Sequence, residues 1–96
     1  FREAASQGDE YAQYFMGICC SLGLGTEKNY EKSVTWFTKS ASQGNPDAQE
    51  ALASCYLSGM GVKKNTETAK ELYIKAARGG NEMARERLNE MGVSWR

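Results

Sequence analysis

Three cysteines and two Gly-x-Gly loops are the residues of this 96-residue chain with the most obvious chemistry to offer. Cys19, Cys20 and Cys55 are an odd set with two adjacent members, unlike the even, spaced framework of a disulfide-stapled secreted domain. Zinc is poorly served too, since the chain has no histidine and no Cys-x-x-Cys pair. No metal and no other cofactor is expected. Nucleophilic or acid/base catalysis lacks its usual base for the same reason, and no Ser, Cys and carboxylate arrangement stands apart from the repeating pattern described below. Gly23-Leu24-Gly25 and Gly59-Met60-Gly61 invite comparison with phosphate-binding loops. Each lacks the third glycine or the Gly-Lys-Ser/Thr ending, and each follows a helical pattern where both phosphate motifs require a strand. The residue types argue against an enzyme.

What positions these residues is a repeat. Ala5, Ala41 and Ala77 fall in one register, as do Gly8, Gly44 and Gly80, and Ala12, Ala48 and Ala84, each series stepping by 36. Gly23 with Gly59, Gly25 with Gly61, Gln13 with Gln49, Cys19 with Cys55 and Lys39 with Lys75 share the same offset. A period of this size means stacked supersecondary units that bury their apolar faces against neighbours. Cys19 and Cys55, sharing a column, read as small packing residues rather than reactive thiols.

Each unit reads helix A, glycine loop, helix B, turn. Ala12, Phe15, Met16, Cys19 and Cys20 recur at the spacing of a helical stripe, mirrored by Ala48, Ala51, Leu52, Cys55 and Tyr56. Gly8-Asp9, Gly44-Asn45 and Gly80-Asn81 pair a left-handed stop for one helix with an N-cap for the next, and Pro46 stands at a first helical position, where its missing N–H is harmless. Asn29 and Asn65 cap helix B. Its buried side takes Val34, Trp36 or Phe37, and Ala41, expected to meet Ala69, Leu72, Tyr73, Ala76 and Ala77 of the next unit. Helices are predicted near 9–22, 30–43, 46–58, 66–79 and 82–91, with no strand. The division is residues 1–8 as the end of a truncated helix B, 9–44 and 45–80 as full repeats, and 81–96 as a final helix A with its tail. Phe1 shares the column of Phe37 and Tyr73, so upstream repeats of the same chain are expected. The charged last helix, with Arg85, Glu86, Arg87 and Glu90, suits a C-terminal cap.

Lys plus Arg and Asp plus Glu number 12 each, so no net field draws the chain to nucleic acid or an anionic membrane. No apolar run approaches the roughly 18 residues of a membrane span, and Phe1-Arg2-Glu3-Ala4-Ala5 is not a signal peptide. The compartment is not legible.

These columns resemble the Sel-one-like repeat (SLR) family, relatives of the tetratricopeptide repeat. The resemblance is carried by Ala12-Gln13-Tyr14-Phe15-Met16-Gly17, Gly23-Leu24-Gly25-Thr26, Asn29-Tyr30-Glu31-Lys32-Ser33 and Trp36-Phe37-Thr38-Lys39-Ser40-Ala41-Ser42-Gln43-Gly44, then Gly59-Met60-Gly61-Val62 and Lys75-Ala76-Ala77-Arg78-Gly79-Gly80. Cys20 stands where the family favours Tyr, Asn29 and Asn65 replace Asp, and Leu72 replaces Trp. The cysteine-rich branch carries inter-helix disulfides where this chain has Ala41 and Ala48, which disfavours that branch. The resemblance implies an all-α fold, a right-handed α-solenoid of antiparallel helix pairs, and a scaffold or adaptor role.

In such a solenoid helix A lines the concave side, so the helix A positions left over by packing are the candidate partner-binding residues: Tyr11, Tyr14, Ile18 and Ser21, then Asp47, Glu50, Ser54 and Leu57, then Met83, Glu86 and Glu90. The ladder is aromatic and apolar at one end and acidic at the other, suited to a protein or peptide with an apolar anchor and basic residues. An upstream repeat covering the apolar end is the plain alternative. Two further readings stay open: a glycan-like ligand stacked on Tyr14, Trp36 or Trp95, and a regulatory module of a larger protein.

Overall fold

Five helix starts in the array are each set by a side chain three residues upstream of the amide it caps. Asp9, Asn45 and Asn81 accept hydrogen bonds from the backbone N–H groups of Ala12, Ala48 and Ala84, and Asn29 and Asn65 do the same for Lys32 and Thr68. The computed structural model describes residues 2–96. The helices are α1 (Arg2–Ser6), α2 (Glu10–Leu22), α3 (Tyr30–Ser42), α4 (Pro46–Ser58), α5 (Thr66–Arg78) and α6 (Glu82–Met91), with no strand among the described residues. α2, α4 and α6 are the A helices; α1, α3 and α5 are B helices. The expected boundaries hold to within one residue. The placing of Phe1 in the Phe37 column lies outside the described residues.

Consecutive helices pack pairwise, α1 on α2, α2 on α3 and so on to α6, giving an elongated body of 38 × 23 × 17 Å. The interior divides by interface. Val34, Phe37 and Ala41 of α3 share a cluster with Ala48, Leu52 and Cys55 of α4, while Ala69, Tyr73, Ala76 and Ala77 of α5 cluster with Ala53, Ala84 and Leu88. This corrects the expected pairing of helix B with the next helix B. α3 stacks on the next helix A, and of the α5 residues named only Leu72 touches its cluster. Phe37, not Trp36, is the buried aromatic of α3. Burying a side chain of that size contributes roughly 1.5–3 kcal/mol. Gly17 makes room for it, since a Cβ there would lie 2.5 Å from the ring.

Two other expectations of the helix A stripe are revised. Phe15 is 41% exposed, and in the Cys19–Cys20 pair it is Cys20 that is buried, with Cys19 only half-buried. Cys55 belongs to a cluster lined by Tyr14 and Ile18 of the preceding helix A. No preceding helix A lies against α2 among the described residues, so Cys19 lacks that cover.

Neighbouring units are also pinned by a recurring polar contact. Gln13 Nε2 donates to the Ala5 carbonyl (3.2 Å), Gln49 Nε2 to the Ala41 carbonyl (3.3 Å) and Arg85 Nε to the Ala77 carbonyl (3.1 Å). In each case a side chain in the first turn of helix A adds a second hydrogen bond to a carbonyl at the end of the preceding helix B, which also accepts from the N–H of Gly8, Gly44 or Gly80 three residues on.

Candidate functional site

The ladder along the A helices is built by their common start. Because α2, α4 and α6 begin from equivalent caps, residues 36 apart on them point the same way from parallel helices. Tyr11 (69%) and Met83 (61%) stand exposed at its outer edge. Tyr14 is half-buried, its ring tilted 41° to that of Phe37 at a centroid distance of 5.9 Å. Ile18 and Leu57 are likewise half-buried and pack on the core clusters. The Ser21 hydroxyl turns back to the Ile18 carbonyl at 2.9 Å. Asp47 accepts from Asn81 Nδ2 at 3.0 Å, tying one unit's ladder to the next unit's cap.

The centre of the face is Glu50. Its Oε2 accepts from Ser54 Oγ at 3.1 Å, and Ser54 Oγ lies 2.9 Å from the Tyr73 hydroxyl. Partial burial pushes the Glu50 carboxyl above its usual range; the Ser54 hydrogen bond and the Arg87 charge pull the other way, and Asp47 adds to the rise. Tyr14 is also raised, first by burial and then by the charges of Asp47 and Glu50. Tyr14 of α2, Asp47 and Glu50 of α4 and Arg87 of α6 therefore lie within electrostatic reach of Glu50 or of one another. Glu86 and Glu90 extend the acidic side on the surface of α6, with Arg87 Nη1 donating to Glu90 Oε2 at 3.4 Å.

Two contributors escaped the sequence reading. Tyr73 is a helix B residue, only 1% exposed, yet its hydroxyl reaches the helix A side. The signal lies in two columns that change together: unit one has Ile18 and Phe37, and unit two has Ser54 and Tyr73, an apolar pair replaced by a hydrogen-bonded one. Arg87 has no such trace, because its column holds Phe15 and Ala51.

The other candidate surfaces are less well formed. An open cleft of about 310 Å³ is lined by Met16, Cys20, Thr26, Lys32 and Trp36, and a smaller one of about 190 Å³ lies between α3 and α5 beside Leu52 and Leu72. The Trp36 ring faces the Lys39 ammonium at 4.8 Å, and Trp95 faces the Arg85 guanidinium at 4.6 Å. No helix is long and apolar enough to cross a membrane among the described residues.

With this geometry in place, the Sel1 repeat family model matches residues 10–45 and 46–81, three quarters of the chain. The chain belongs to the Sel1 repeat family. Among solved structures it is similar to a Sel1 repeat protein from Oxalobacter formigenes, with 40% identity, a TM-score of 0.91 and coverage of 93% of this chain and 67% of that one. A protective antigen of uropathogenic Escherichia coli strains, displaying an SLR fold, matches at 30% identity and a TM-score of 0.92 over 98% of this chain and 21% of its own length. The cysteine-rich protein B of Helicobacter pylori matches at 25% identity and a TM-score of 0.86, over 91% of this chain and 65% of that one. This chain thus spans about a fifth of the E. coli antigen. No significant match was found among curated proteins. Sel1 repeat proteins are generally helical scaffolds without enzymatic activity and commonly serve protein interaction.

Proposed function

We propose that this chain is a non-enzymatic scaffold segment that binds a partner polypeptide along the face formed by α2, α4 and α6. The observation that carries the reading is the grouping, from successive A helices, of Tyr14, Asp47 and Glu50, two carboxylates beside an aromatic ring, with the Glu50 carboxyl raised by burial and by its acidic neighbour. A basic side chain placed there relieves the repulsion between the carboxylates and meets the aromatic face. Tyr11, Ile18 and Met83 add apolar surface for an anchor, while Ser21, Ser54, Leu57, Glu86 and Glu90 complete the ladder.

The test is a pull-down with tagged chain, followed by affinity measurements on the partner it identifies. Tyr14→Ala and Glu50→Lys, each first shown to fold by circular dichroism, are expected to weaken binding by about 2 kcal/mol or more if they sit at the centre of the interface. Lys39→Ala, on helix B, is expected to leave it unchanged. Undiminished binding by both helix A variants together with loss in Lys39→Ala would move the interface to the outer surface.

A further inference from the structure

The carboxyl end of the array carries a feature that the helix A face does not use. Gly92 ends α6 in the left-handed region, Val93 N–H bonds back to the Leu88 carbonyl at 2.9 Å, and the tail returns so that Val93 and Trp95 pack on the Tyr73–Leu88 cluster. Three arginines gather on Trp95. Arg78 Nε donates to the Trp95 carbonyl at 3.0 Å, and the guanidiniums of Arg85 and Arg96 lie 4.6 and 5.3 Å from the indole centroid. The ion pairs among the described residues are Lys70–Glu67 and Arg87–Glu90, so none of the three is matched by a carboxylate. Arg78 and Arg85 each bond through Nε, and the paired Nη groups of both forks meet no acceptor among the described residues.

The column comparison shows that this charge is not required by the fold. Position 85 repeats 13 and 49, where glutamine makes the same hydrogen bond to the end of helix B. Position 78 repeats Ser6 and Ser42. In a chain with no net charge, both substitutions add a guanidinium at one spot. Like charges held together by an aromatic platform lose their mutual repulsion when an anion enters, and the free forks suit the two oxygens of a carboxylate.

We propose that Arg78, Arg85 and Arg96, arranged around Trp95, form a docking patch for an acidic segment of a partner polypeptide, distinct from the helix A face and opposite to it in charge. A short acidic peptide fits better than a nucleic acid. Glu82 and Glu86 flank Arg85 on α6 and would repel a phosphate backbone whose charges follow one another along the main chain, whereas the carboxylates of a peptide stand on flexible side chains, so two or three can meet the arginines while the others turn to solvent.

The experiment measures fluorescence anisotropy of labelled hexaglutamate titrated with the full chain. Saturable binding is expected, weakening about tenfold as salt is raised from about 50 to about 300 mM. Arg85→Gln restores the residue of the other two units and keeps the Ala77 hydrogen bond. It should lower affinity about fivefold with an unchanged Tm, and Arg78→Gln with Arg96→Gln should lower it about tenfold or more. Lys28→Gln with Lys63→Gln, elsewhere on the surface, should leave it unchanged. The proposal is overturned if hexaglutamate does not bind, if the arginine variants bind as tightly as the parent, or if a single-stranded oligonucleotide of equal length binds more tightly. It is equally overturned if the anisotropy rise tracks self-association seen by sedimentation without peptide.

Discussion

The two glycine loops have the same backbone and different surroundings. Gly25 and Gly61 adopt φ of +68° and +77°, and the preceding Gly23 and Gly59 adopt +74° and +71°. A Cβ at Gly61 would run into the Tyr30 carbonyl and come within 3.0 Å of Val34 Cγ2, whereas one at Gly25 would meet nothing within 4 Å. The second loop is clasped onto the start of α3, whereas nothing among the described residues occupies the same place at the first. The same glycine spacing gives the same backbone in both loops. Local sequence sets the loop, and stacking then uses it.

That contrast orders the expected effects of substitution. Gly61→Val combines backbone strain with a collision against a main-chain carbonyl and should destabilise by about 4 kcal/mol, while Gly25→Val carries the strain alone, about 1–2 kcal/mol. Equal losses in urea unfolding would show that the loops are not distinguished by packing. Next in size, Leu52→Ala empties space in the α3–α4 cluster at the edge of the smaller cleft and should cost about 3 kcal/mol. Met16→Ala, in the same column, belongs to a smaller buried cluster with Ala5 and Ala12 and loses fewer packed neighbours, so it should cost about half as much. Calorimetric melting of the two variants checks the ratio.

The thiols extend the comparison to kinetics. Cys55 is buried, and burial, with a smaller push from Glu50, holds its thiol above the usual range. Native-state labelling should proceed fastest at half-buried Cys19 and slowest at Cys55, with the difference abolished in denaturant. Mass spectrometry of peptides from a timed alkylation reads this directly. The smallest effect is at Glu50. Its folded carboxyl titrates above the usual value of 4.5, so the folded state takes up the proton at higher pH than the unfolded chain, and stability rises as pH falls through the folded value. Glu50→Gln keeps an acceptor for Ser54 without the charge. It should raise Tm slightly at neutral pH, by a margin that shrinks towards acid; a margin constant with pH would assign the effect to something other than ionisation.

The legible parts of the structure were those written within a few residues. Caps at Asp9, Asn29, Asn45, Asn65 and Asn81, the glycine stops and the helix boundaries are local, and the repeat states each of them more than once. What sequence periodicity left ambiguous was decided by which neighbour lies across an interface. Cys19 and Cys55 share a column but not a cover, Phe15 matches the helical stripe yet faces outward, and α3 meets the next helix A where a helix B partner was expected. On the candidate face, Tyr14 and Glu50 were visible as unclaimed helix A positions. Tyr73 and Arg87 were not, because each reaches the face from a column with another role.

The repeated bond from positions 13, 49 and 85 to the carbonyls at 5, 41 and 77 bears on how the array measures distance. In any linear stack, small angular errors at successive joints accumulate, so the position of a distant unit becomes less certain with each one added. A directional contact at the same place in every joint limits that drift, since it restrains the angle at which each A helix leaves the B helix before it. Breaking one such contact would leave both adjoining units folded while turning everything beyond the joint as a block. The spacing between far-separated groups on the surface would then change without any of those groups being touched.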